Sequence, residues 1–173
     1  MVNFATIALY ASAVLGAAIR RDVTETLTDL ENIDASTNSL TSDITAWDGT
    51  TAGAITIATA ANSLGDLIDT ANTDASDESV ASSADSATII SYITETGEPD
   101  IAASLNALVA REAEFASAGV ASVVLSELQS LKNKTDTYGA TLLSITSSDQ
   151  QTAAQAELTK LDADFDAAIT AFS

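Results

Sequence analysis

Apolar residues recur at steps of three and four along most of this chain, the spacing of one face of an α-helix. Val23, Leu27, Leu30, Ile33, Leu40, Ile44 and Trp47 make the longest stripe, with Thr37 filling its one gap. It predicts a first helix of ~27 residues, ~40 Å long. Asp22 with Glu25 three residues on is a capping-box-like start, and Gly49 ends the stripe. Ile57, Ala61, Leu64, Ile68, Ala71 and Ala75 mark a second helix, and the acidic stretch from Asp74 to Ser83 reads as a loop. A third helix runs to Thr96 with Ile89, Ile90 and Ile93; Gly97 stops it, and Pro99 suits the first turn of a fourth, which carries Ile101, Leu105, Leu108 and Val109. Ala118-Gly119 marks a break. Val120, Val124, Leu128, Leu131, Tyr138, Leu142 and Ile145 form the fifth stripe. Ser147 with Gln150, or Ser148 with Gln151, offers a capping box for the last helix, whose stripe is Ala154, Leu158, Leu161, Phe165, Ile169 and Phe172. Period-two alternation is nowhere sustained, so no sheet is expected. The fold class is all-α, an antiparallel bundle of five or six amphipathic helices with short connections.

The N-terminus breaks this pattern. Phe4 to Ile19 is nearly charge-free and apolar, and it ends in small residues suited to cleavage after Ala18. Residues 1–18 therefore read as a signal peptide, with a buried first helix or a short membrane span as the other readings. The run is short for a span, which needs ~20 apolar residues. Arg20-Arg21 then makes 19–21 a short dibasic segment, processed after Arg21, and leaves 22–173 as the helical domain. The C-terminus lacks the polar spacer and long apolar tail of a lipid anchor.

Charge narrows the partners. Asp and Glu number 25 against six Lys and Arg, for a net charge of −19 in 173 residues. Phosphate binding needs clustered cations, so nucleic acid and anionic headgroups are poor partners. With no cysteine and no histidine, disulfides, thiol catalysis and the commonest general base are excluded. The hydrophobic share of 46%, periodically placed, argues for a packed core in spite of the charge.

Several segments, in order, carry a resemblance: Arg21-Asp22-Val23, Leu30-Glu31-Asn32-Ile33-Asp34, Glu98-Pro99-Asp100-Ile101, the run from Ala118 to Lys132, and the closing Asp166 to Phe172. Together the chain over 20–173 resembles the fungal hydrophobic surface-binding protein A family, also described as cell-wall galactomannoproteins. The resemblance implies an extracellular or wall-associated helical domain whose interior can hold fatty acids. It also implies adsorption to hydrophobic surfaces and, for some members, recruitment of a secreted hydrolase. It brings no catalytic motif and no cofactor. The chain departs from the family pattern over 52–61, where few large apolar residues occur.

The stripes are core residues in any bundle. What makes a cavity a candidate is the abundance of alanine in the stripes together with the few aromatics, 5% of residues. Long helices faced with small side chains either pack closely or leave space between them. If space is left, Ile33, Leu40, Leu64, Ile68, Ile93, Leu105, Leu128 and Leu142 are its candidate lining. Trp47, Tyr92 and Tyr138 are candidate aromatic anchors at a mouth or headgroup, with ordinary half-buried aromatics as the other reading. Arg111, or Lys132 with Lys134, could meet a fatty-acid carboxylate; the preferred reading is that they offset the surrounding acids. Asn133-Lys134-Thr135 is an N-glycosylation sequon on the fifth stripe, and abundant Ser and Thr suit O-mannosylation. Asp74 to Glu78 lacks the spacing of a calcium loop. The acids Asp162, Asp164 and Asp166 fall opposite the apolar stripe, so they read as a solvated face and not a glycosidase pair. The expectation is a non-catalytic binder of fatty acids or hydrophobic surfaces. A ligand-free structural wall mannoprotein and an adaptor for a lytic enzyme remain as alternatives.

Overall fold

A computed structural model describes residues 23–173. The cleavage positions Ala18 and Arg21, the leader over 1–21 and the Asp22 cap lie outside the described residues. Within them all regular structure is helical: α1 (Val23–Ala46), α2 (Thr51–Ser76), α3 (Ser83–Tyr92), a π-helical turn (Ile93–Gly97), α4 (Glu98–Val109), α5 (Glu112–Ser117), α6 (Ala121–Ile145) and α7 (Gln151–Ala171).

The long elements alternate in direction along the chain, as short connections demand. They close into a ring in which α1 packs on α2, α2 on α6, α6 on α7, α7 on α4 and α4 back on α1. Closing a ring of five puts some neighbours parallel. Asn62 reaches Glu127 and Asn72 meets Thr141, so α2 and α6 run side by side in one direction. Asn38 bonds Asp100, and Arg111 bonds the Ile44 carbonyl, so α1 and α4 do the same.

Turn chemistry accounts for the first junction. Gly49 has φ +79°, a backbone state that costs other residues strain. The Thr50 hydroxyl then accepts from the Gly53 N–H at 3.1 Å and caps α2. Gly119, at φ +74°, makes the break before α6.

Three local expectations are corrected. The acidic stretch from Asp74 begins inside α2, which continues to Ser76 because Ala75 extends the buried stripe. Gly97 does not stop a helix: its φ of −62° and ψ of −50° are helical, and the chain passes from α3 to α4 through the π-helical turn. Pro99 explains that turn, since its missing N–H and bulky ring disturb regular bonding and one extra residue per turn relieves it. The capping box before α7 is not made. Gln150 is the N-cap with no side-chain bond, and the Ser147 N–H donates instead to Ser86 Oγ at 2.9 Å, tying the α6–α7 junction to α3.

Candidate functional site

The ring encloses an apolar cavity of about 350 Å³, walled by side chains from α1, α2, α3, the π-helical turn, α4, α5 (Phe115), α6 and α7. Local composition explains the space. On α2 the wall mixes Ala54, Ala58 and Ala61 with Ile55, Ile57, Leu64 and Ile68, so part of that face ends at methyl groups. Gly139 of α6 also lies in the wall, where an added Cβ would strike Leu158.

The structure brings Ile33, Leu40, Leu64, Ile68, Ile93, Leu105, Leu128 and Leu142 to this one space, together with Tyr92 and Tyr138. Sequence reasoning passed over the contribution of α7, namely Leu158, Leu161 and Phe165, and over Ile44 and Leu108. A stripe marks the buried side of a helix but not which part of it faces the centre of a ring. The cavity reaches the surface at Ile55 and Val123, which are wall residues yet 63% and 48% exposed. This apolar rim lies between the N-terminal parts of α2 and α6, bridged below by the Asn62–Glu127 bond of 3.2 Å.

Trp47 stands elsewhere. It is buried outside the wall, stacked on Phe115 with centroids 4.1 Å apart and planes 11° from parallel. Its Nε1–H donates to the Thr50 carbonyl at 2.8 Å. With both the ring and the polar atom occupied inside the fold, Trp47 is a core residue and not a cavity-mouth anchor.

Among the described residues no lysine or arginine belongs to the wall. Arg111 donates to the carbonyls of Ile44 (2.7 Å) and Thr45 (3.0 Å), closing the C-terminal end of α1. It also pairs with Glu114 and lies 5.2 Å over Trp47. Lys132 pairs with Asp136 and Asp162, Lys134 with Asp69, and Lys160 with Glu157. The expectation that the cations offset neighbouring acids fits these pairings; a carboxylate partner inside the cavity does not. Asn133 is exposed on α6.

The wall's ionisable groups are instead acidic or phenolic, beside the hydroxyls of Thr37, Thr51, Ser104, Thr135 and Thr146. Asp34, Glu98, Glu127 and Glu157 belong to it. Burial, a hydrogen bond with Asp100 and repulsion from that carboxyl push Asp34 up from 3.8 to about 6. Burial also raises the Tyr138 phenol well above its ordinary value, helped by the charges of Asp29, Glu78 and Asp74. Tyr92 is shifted the same way by burial and by Asp34, Glu31 and Asp100. Among the described residues no group of three acids could hold a metal ion, and no helix is long and apolar enough to cross a membrane.

Such a hollow ring has relatives. The solved structure of Afmp4p in complex with palmitic acid matches with a TM-score of 0.84 and 34% identity, over 88% of this chain and 100% of that one. Ligand binding domain 1 of the Penicillium marneffei MP1 protein, complexed with arachidonic acids, matches at 0.82 and 16% identity, over 88% of this chain and 97% of that one. Domain 2 of the same protein, complexed with multiple arachidonic acids, gives 0.84 and 15%, over 90% and 98%. At those identities the two domains share the fold. No curated protein matches in sequence. The family model described as hydrophobic surface binding protein A matches residues 23–144. With that match over most of its length, the chain belongs to the hydrophobic surface binding protein A family.

Proposed function

We propose that this chain is a secreted, non-catalytic fungal protein that binds long-chain fatty acyl ligands inside its helical ring. The apolar cavity of about 350 Å³ carries the reading, within the ~300–1,000 Å³ typical of small-molecule sites. Along α1 the wall runs from Leu30 to Ile44, ~21 Å of helix, the length scale of an extended long acyl chain. The palmitic acid bound by Afmp4p, at 34% identity, supports the same ligand class. Binding is driven by desolvation, with each methylene that leaves water contributing ~0.8 kcal/mol. The acidic exterior keeps a carrier of greasy cargo dispersed.

On this reading residues 1–18 are a signal peptide, 19–21 are removed after Arg21, and 22–173 are the mature domain in the extracellular space or wall. Exposed Asn133 would carry the N-glycan. The rim at Ile55 and Val123 supports a further contact with hydrophobic polymer, on which a secreted hydrolase would assemble. Lipid extraction of the purified protein followed by mass spectrometry tests the carrier reading. Long-chain lipid in the extract, and rebinding of a fatty-acid probe to the stripped protein, are the expected results. No lipid and no rebinding would leave only a structural coat protein.

A further inference from the structure

The cavity wall changes character along its length. Contacts between helices set the levels. Gly53 of α2 adjoins Trp47 just past the end of α1, Asn62 meets Glu127 lower down, and Asn72 meets Thr141 lower still. The rim therefore marks one end. There Ala54, Ile55, Phe115, Val120 and Val123 face the space, with Glu127, which accepts from Asn62 at 3.2 Å, as the one acid of that end among the described residues.

The opposite end gathers Asp34, Tyr92, Glu98, Tyr138 and Glu157. Leu158 lies against Gly139, which sets Glu157 level with Tyr138. Thr26 bonds Glu78, which sets Asp34 opposite the same stretch of α2. These groups are engaged with others: Asp34 hydrogen-bonds with Asp100, and Glu157 pairs with Lys160 at 3.0 Å. Asp34, Tyr92 and Glu98 are half-buried, so this end stays partly wet.

Tyr138 alone of the five is both buried and unmet. It is 5% exposed, and its hydroxyl has no hydrogen-bond partner. Such a hydroxyl bears its desolvation penalty until an acceptor reaches it. Tyr138 follows Val123 by fifteen positions on α6, ~22 Å of helix, close to the run of wall along α1. One long acyl chain therefore spans from the phenol to the rim. Laid methyl-first toward Tyr138, the chain would press hydrocarbon on carboxyl and phenol groups and leave the hydroxyl unmet. Laid the other way, its oxygen meets the phenol and its methyl end meets Ile55, Val123 and Phe115.

Resting on the carrier reading above, we propose that the ligand lies with its oxygen-bearing headgroup at Tyr138, as acceptor from the phenol, and its methyl end at the Ile55–Val123 rim. Chains longer than the wall then emerge between those two side chains. Tyr138 is the headgroup residue, and the rim is the tail's exit.

The chain's single tryptophan reads the orientation. Trp47 stands at the rim end, stacked on the wall residue Phe115 at 4.1 Å. The lipid-stripped full chain is saturated with 16-bromohexadecanoic acid, 2-bromohexadecanoic acid or unbrominated hexadecanoic acid, and Trp47 emission is compared. Bromine quenches at near contact, so the 16-bromo acid is expected to quench at least about fivefold more than the 2-bromo acid, whose bromine sits ~22 Å away along α6. Tyr138→Phe is expected to lower the hexadecanoic-acid-to-hexadecane affinity ratio about five-fold, the worth of one hydrogen bond. Equal quenching, stronger quenching by the 2-bromo acid, no quenching although both acids bind, or a ratio unmoved by Tyr138→Phe overturns the proposal. Failure of the carrier reading looks different: none of the acids then displaces a fluorescent fatty-acid probe.

Discussion

The aromatic cluster at the α1–α2 junction is solid, while the ring beside it is hollow. At the junction, Trp47 stacks on Phe115, and Phe172 leans against Phe115 at 6.1 Å. Phe115 has no exposed surface. Phe115 also borders the cavity, into which Ala58 and Ala61 of α2 reach only with methyl groups. Where large rings fill the centre, dispersion contacts hold the end shut. Where methyl groups face it, the ring must close around a void. The solid end thus keeps the ring intact while the middle stays empty enough for a ligand.

The sharpest way to break this contrast is Phe115→Ala. It should cost about 3–5 kcal/mol, as truncation of a fully buried aromatic does, measured by chemical denaturation. A milder test places extra volume at each level. An added Cβ on Gly53 would sit 2.5 Å from Trp47 Cδ1, so Gly53→Ala should destabilise by about 1–2 kcal/mol after the gain in helix propensity is offset. Ala61→Trp, which adds far more volume, should cost less because its side chain enters the void. It should also weaken acyl-probe binding at least about tenfold, read by titration of the stripped protein. Greater damage from Ala61→Trp than from Gly53→Ala would mean that the middle is packed.

Asp34 supplies a smaller effect at the wall. Its folded value of about 6 lies above the ordinary 3.8, so the folded state takes up this proton more readily than the unfolded chain. The associated stability is fully present below 3.8 and is lost as pH rises through about 6. Asp34→Asn should flatten melting temperature over that interval and stabilise the protein at pH 7 by up to ~1 kcal/mol, discounted for partial exposure. The smallest effect is expected outside the ring. Lys134 pairs with Asp69 and covers Gly65, and Lys134→Met should change stability by less than ~1 kcal/mol and leave ligand affinity unchanged.

Much of this was readable beforehand. The stripe from Val23 to Trp47 predicts α1 to within a residue or two, and the stripes of α6 and α7 do equally well. Gly49 and Gly119 were legible as breaks because each occupies a conformation that favours glycine. Gly97 misled, since a glycine followed by a proline reads as a stop, and only the π-helical turn reveals a continuous helix. Ser147 misled for another reason: its N–H is spent on Ser86, a residue 61 positions away. The alanines of α2 pointed to either space or close packing. Choosing between them needed the distance across the ring.

Periodicity alone specifies what each helix does to its own surroundings: which side leaves water, where it starts and, with few exceptions, where it ends. Those are local matters, governed by backbone bonding and by the separation of apolar from polar faces. Whether the apolar faces meet or stand apart depends on how five of them close into a ring. That is why the void, the unpaired hydroxyl of Tyr138 and the withdrawal of Trp47 into the core became visible only in three dimensions.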